Sequence, residues 1–143
     1  MEFKLEVVVV PVRDVDRSLV FYTEQLGFCL DVDYAPNPGF RVVQMTPPGS
    51  ACSVQIGVGI SDAAPGSVRG LYLVVSDIEQ ARADLVAGGV AVGEIRHKSP
   101  VGSWQGGFEP GVHAERLDYA SFAEFADPDG NRWTVQEVGF PRS

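Results

Sequence analysis

The feature that most limits how this chain can fold is an internal repeat. Two stretches, "VVVPVRDVDRSLVFYTEQLGF" from Val8 and "LYLVVSDIEQARADLVAGGV" from Leu71, follow one design. In each, a β-branched strand runs into an Asp, and the Asp opens a helix. Asp14 and Asp77 stand 63 residues apart, each placed as an N-cap whose carboxylate accepts from the first unpartnered helical amides. Asp77 has Gln80 three residues on, the spacing of a capping box. Apolar residues then recur at helical intervals: Val15, Leu19, Tyr22 and Leu26 in one copy, Ile78, Ala81 and Leu85 in the other. Gly27 and Gly88-Gly89 end the helices.

Three strand candidates follow each helix. They are "FCLDVDY", "FRVVQM" and "CSVQIGV" in the first copy, and "VAVGEI", "YASFAEFA" and "RWTVQEV" in the second. The predicted architecture is βαβββ written twice, an α+β fold with hairpin-linked strands and a helix on one side. Eight strands in two equivalent sheets are expected to form a curled mixed sheet around a cavity. The chain reads as one domain, with module one over 1–60, a linker over 61–68 and module two over 69–140. Open sheet edges favour pairing with a second chain, so a homodimer is expected.

The copies differ in one place. Between the first two strands after the second helix lies "RHKSPVGSWQGGFEPGVHAERLD", residues 96–118, far longer than its counterpart. Loops of this length inside a small domain are usually functional, and this one carries Trp104, Phe108, His97 and His113. It is read as a lid or a dimer-contact arm. Near the end of the chain, Asp127-Pro128-Asp129-Gly130 spells a type I turn at a hairpin corner. The turn is not a calcium loop, because the glycine comes one step early and the closing bidentate Glu is missing. In the strand that follows, period-2 alternation sends Arg132, Thr134 and Gln136 to one face and Trp133, Val135 and Glu137 to the other.

Charge and cysteine usage exclude several partners. A formal net charge of -8 with scattered Lys and Arg argues against nucleic acid. Met1 to Lys4 carries charge at once, unlike a signal peptide, and "LEVVVVPV" is too short to cross a bilayer, so a cytoplasmic protein with no membrane partner is expected. Cys29 and Cys52 lack metal or redox spacing and read as small buried thiols.

The opening "VVVPVRDVDRSLVFYTEQLGF" and the later "DPDGNRWTVQEV", set in duplicated βαβββ units, resemble the vicinal oxygen chelate superfamily. That group comprises glyoxalases, bleomycin-resistance proteins, extradiol dioxygenases and relatives, and the likeness covers nearly the whole chain. Metal-using members hold one divalent ion with His, Glu or similar ligands at four equivalent positions. Here the resemblance puts those positions at Val7, Gly70, Gln55 and Thr134. Val and Gly have no donor atom, and one hydroxyl with one amide grips a divalent ion weakly. Glu6, beside Val7, and Glu137, three residues after Thr134, point to the opposite face by strand parity.

These readings lead to a small-molecule-binding protein of the glyoxalase/bleomycin-resistance type, with no cofactor and no metal site. Its ligand is held by Phe40, Trp104, Phe108 and Tyr119 as walls and Gln44, Gln55, Thr134 and Gln136 as orienting groups. Trp133, Phe122 and Phe125 are assigned to core packing instead. The alternative is a glyoxalase- or dioxygenase-like lyase or isomerase. That reading uses a relocated divalent metal, or acid/base chemistry by His97, His113 or Glu115.

Overall fold

Both predicted caps start helices. In the computed structural model, which describes residues 1–102 and 107–142, the Asp14 carboxylate accepts from the Arg17 amide at 3.2 Å and opens α1, Val15–Val20. Asp77 does the same for the Gln80 amide at 3.1 Å and opens α2, Ile78–Ala87. The expected capping box does not close, because the Gln80 side chain donates forward to Asp84 at 2.8 Å. The first helix also departs from regular periodicity. Phe21–Gln25 is a π-helical turn in which the Leu26 amide reaches back to the Phe21 carbonyl. The buried stripe runs Val15, Ser18, Phe21 and Tyr22, three and four residues apart, while Leu19 and Leu26 are half-buried.

Two mixed sheets carry these helices. In the first, β1 (Val7–Val9) lies parallel to β4 (Ser53–Val58), which pairs antiparallel with β3 (Phe40–Thr46) and through it with β2 (Cys29–Asn37). The second places β5 (Leu71–Val75) parallel to β9 (Arg132–Glu137), followed by β8 (Ser121–Ala126), β6 (Arg96–Lys98) and β7 (Phe108–Pro110). The repeat is kept to the residue. Val9 faces Gln55 in the first sheet, and Tyr72 faces Thr134 in the second, with Val9 and Tyr72 separated by the same 63 residues as the caps.

The second sheet corrects two sequence expectations. It has five strands, so the described residues hold nine strands rather than eight in equivalent sheets. "VAVGEI" is not a strand; it contributes one bridge, Val92 to Phe125. The Arg82 guanidinium donates to the carbonyls of Val92, at 3.2 Å, and Gly93, at 2.9 Å, and occupies acceptors that a ladder needs. The strand that completes the repeat is β6, inside the segment read as a loop, and β7 folds back on it as an extra edge. The cysteine reading also changes, since Cys29 is exposed on β2 and Cys52 is half-buried.

By contacts the chain forms two compact units, Met1–Val68 with Asp127–Asn131, and Arg69–Ala126 with Arg132–Ser143. Residues of the Asp127 turn bond within the first. The Gly130 amide returns to the Asp127 carbonyl at 3.0 Å, as a type I turn requires. Both oxygens of the Asp127 carboxylate are engaged: Oδ1 by the amides of Asp129 and Asn131, Oδ2 by the Tyr22 hydroxyl at 2.7 Å and Asn131 Nδ2 at 2.7 Å. Asn131, fully buried, also donates to the Pro11 carbonyl and accepts from the Val68 amide. The carboxylate that hints at calcium in the sequence is therefore a structural anchor.

Candidate ligand-binding site

The exposed face of the second sheet is built by alternation. Along β9, Trp133, Val135 and Glu137 turn inward and are buried, while Thr134 and Gln136 turn to the opposite face. On β8 the same rule turns Phe122, itself buried, and Glu124 to that face, and on β6 it turns Arg96 and Lys98 there while His97 points away. These side chains line a cavity of about 720 Å³, whose lining is completed by Tyr72, Val101, Gly102, Phe108, Asp118 and Tyr119. The volume lies within the range of about 300–1,000 Å³ typical of sites for small molecules.

The wall alternates rings and cations. The Lys98 ammonium stands 5.3 Å from the centre of the Phe122 ring, and Phe122 meets Phe108 edge to face at 5.7 Å and 88°. The Arg96 guanidinium covers Phe108 at 4.9 Å and donates to Glu124 at 2.8 Å. Arg132 approaches the other Glu124 oxygen at 3.9 Å. Glu124 sits opposite Thr134 in register, so the carboxylate at the middle of the cavity floor is already engaged by guanidinium groups. Gln136 donates its amide to the Tyr119 carbonyl at 3.2 Å.

The sequence candidates divide between the sheets. Phe108, Tyr119, Thr134 and Gln136 line this cavity. Phe40, Gln44 and Gln55 stand on the first sheet, where Gln44 and Gln55 are cross-strand partners and the Gln55 amide donates to Gln44 at 2.9 Å. Trp104 lies outside the described residues. Phe122, Phe125 and Trp133 are all buried as assigned; Phe125 and Trp133 stack at 6.2 Å, and the 7% of Phe122 left exposed also lines the cavity. Sequence reasoning also missed Tyr72, Arg96, Lys98 and Glu124. Parity flags Glu124 once β8 is known to pair with Thr134, but Arg96 and Lys98 lie in a charged triplet with no apolar period to mark a strand.

His97, His113 and Glu115 fall outside this lining. His97 donates Nδ1–H to the Gly111 carbonyl at 2.8 Å, with Nε2 3.8 Å from Glu109, and its ring meets that of His113 edge-on at 5.7 Å. His113 Nδ1 accepts the Glu115 amide at 3.1 Å. Glu115 is exposed. At the four positions that the family resemblance gives for metal ligands, Val7 and Gly70 have no side-chain donor, and Gln55 and Thr134 offer one neutral oxygen each. This donor set does not fit a divalent ion. Among the described residues, no group of three or more His, Cys, Asp or Glu is arranged to hold one.

One charged network supports the cavity from behind. Glu137, wholly buried, caps α2 through the Ile78 amide at 2.9 Å and receives Arg116 at both oxygens, 2.9 and 2.6 Å. The hydrogen bonds that Arg116 donates to Glu137, reinforced by the charges of Glu79 and Asp77, raise its pKa further and fix its charge at any working pH.

No helix is long and apolar enough to cross a membrane among the described residues. Several solved structures resemble the chain throughout. TnmS3, an antibiotic binding protein from Streptomyces sp. CB03234, shares 29% identity over 95% of this chain and 96% of its own, with a TM-score of 0.71. A glyoxalase/bleomycin resistance protein from the same organism shares 29% identity over 93% and 99%, at 0.68. A member of the same superfamily from Sphaerobacter thermophilus DSM 20745 shares 25% identity over 96% and 98%, at 0.70. Comparison with curated protein sequences gives no significant match. The family model for this fold matches residues 4–135, and with it the duplicated strands, the two caps and the Asp127 turn find one explanation: the chain belongs to the Glyoxalase/Bleomycin resistance protein/Dioxygenase superfamily.

Proposed function

We propose that this protein binds a small planar aromatic molecule on its second sheet without a metal ion, as an antibiotic-sequestering protein does. The observation that carries this reading is the cavity wall, where Phe122, Phe108, Tyr72 and Tyr119 offer ring faces and edges between two cations. Stacked or edge-to-face contact with a flat ligand contributes about 0.5–1.5 kcal/mol per ring beyond area burial. Acidic oxygens on the ligand find Lys98 and Arg96 at the rim. Neutral Thr134 and Gln136 orient the ligand by hydrogen bonds, and the one carboxylate on the floor, Glu124, is held in ion pairs rather than presented as a base. These features suit retention better than turnover. The likeness to an antibiotic binding protein supports the same class of ligand.

Calorimetric titration with a panel of planar aromatic antibiotics tests the reading. At least one compound is expected to bind the wild-type protein and to lose about tenfold or more in affinity, about 1.4 kcal/mol, when Phe122→Ala removes the central ring. Failure of the whole panel, or equal binding by the variant, refutes it.

A further inference from the structure

Arg116 and Tyr119 are the two non-glycine residues with left-handed backbone among those described, at φ 52 and 62. Such conformations persist only where surrounding contacts over-determine them, and they gather at functional sites. Asp77 and Glu79 at the start of α2 pair with Arg116, and the other contacts come from the end of β9 and the segment after it. Arg116 donates twice to buried Glu137, and Phe140 stacks on the guanidinium at 3.6 Å. Arg142 donates to the carbonyls of Glu115, at 2.9 Å, and Arg116, at 3.3 Å. The Gly139 amide bonds to the Asp118 carboxylate at 2.8 Å, and the Tyr119 amide bonds to the Glu137 carbonyl at 2.9 Å. The turn is thus gripped on its side chains and its backbone, yet the Tyr119 ring is more than half exposed and stands at the cavity rim.

We propose that Arg116 is a positioning residue for ligand binding: its bidentate grip on Glu137, backed by Phe140, holds the left-handed turn so that the Tyr119 ring forms a fixed wall of the cavity. This rests on the reading that the cavity is the ligand site. Arg116 touches no ligand itself. A ring fixed in advance loses little conformational entropy when a ligand stacks on it, so the grip acts on affinity through Tyr119. Lysine cannot replace the planar fork, because it lacks both the second donor direction and the flat face that Phe140 covers.

The probe is anilinonaphthalene sulfonate, a fused aromatic anion matched to the rings and cations of the rim, titrated by fluorescence, with fluorine NMR of fluorotyrosine-labelled protein reporting the Tyr119 ring. Arg116→Gln and Arg116→Lys are expected to weaken binding roughly tenfold and to shift and broaden the Tyr119 signal. The double variant Arg116→Gln/Tyr119→Ala should bind no more weakly than Tyr119→Ala alone, as a residue acting through Tyr119 requires. Phe140→Ala leaves Glu137 paired and keeps the test open if the Arg116 variants do not fold; it should weaken binding about threefold, with the same direction of Tyr119 shift. Wild-type affinity together with an unmoved Tyr119 signal in the folded variants overturns the positioning role, as does full additivity in the double variant. Phe122→Ala separates the two readings. If it binds the dye as wild type does, the cavity assignment fails and takes the proposal with it. If it loses binding while the Arg116 and Phe140 variants keep theirs, only the proposal fails.

Discussion

Replacing Asn131 by alanine should destabilise this protein more than any surface change, and the structure sets the scale. The side chain is fully buried and makes three hydrogen bonds: to the Pro11 carbonyl at 2.8 Å, to the Asp127 carboxylate at 2.7 Å and from the Val68 amide at 3.0 Å. Neutral bonds contribute about 0.5–1.5 kcal/mol each and one to a charged group about 1.5–3 kcal/mol, with the desolvation of partners left behind adding to the cost. Asn131→Ala is therefore expected to cost roughly 3–5 kcal/mol. For a chain of this length that corresponds to a melting temperature lower by on the order of 10 °C. Urea denaturation followed by far-UV circular dichroism measures it, with an unchanged m-value showing that the denatured state is the same. Asn131→Asp is the control. It keeps an acceptor for Val68, loses the donor to Pro11 and sets a second carboxylate against Asp127, so it should be no more stable than the alanine variant near neutral pH. A loss below about 1 kcal/mol for Asn131→Ala would show that the buried network contributes no more than ordinary surface polarity.

Three further outcomes follow from local chemistry. Ser18 is wholly buried and its hydroxyl has no hydrogen-bond partner among the described residues, so Ser18→Ala should raise stability by roughly 0.5–1 kcal/mol in a thermal melt; a loss of that size would reveal a bond the hydroxyl makes. The Arg41 hydrogen bond holds the Asp33 carboxyl below its usual range, outweighing desolvation, so its contribution is present above the unfolded value near 4 and fades as pH falls through the folded one. Because Asp33 is about a third exposed, Asp33→Asn should cost under about 1 kcal/mol at neutral pH, and the gap from wild type should narrow in acid; a gap that widens there contradicts the sign. Tyr22→Phe removes one charge-assisted bond to Asp127 and should cost roughly 1.5–3 kcal/mol by urea titration, an outcome undone if the variant melts with wild type.

What the sequence made legible was the part governed by local rules. The caps at Asp14 and Asp77, the 63-residue offset and the inward turn of Glu137 follow from capping chemistry and strand parity, and the register keeps all three. The family likeness followed from the same residues. What stayed hidden depends on distant partners. "VAVGEI" alternates like a strand, but Arg82 takes its carbonyls. Arg96–Lys98 is a strand although it is charged throughout, because its alternate residues face a cavity rather than a core. The first helix ends in a π-helical turn, and the Leu26 N–H to Phe21 bond is one that helical periodicity does not foresee. Arg116 and Tyr119 give no sequence signal for left-handed backbone, since Glu137, Phe140 and Arg142 impose it from residues far along the chain.

The claim that the cavity binds its ligand without a metal ion is tested most directly by titrating chelator-treated protein with the tightest-binding aromatic antibiotic of the panel, before and after adding zinc, manganese or ferrous iron. The affinity should be the same in all cases and should fall about tenfold or more only with Phe122→Ala. Binding that disappears on chelation and returns with a metal would contradict the account.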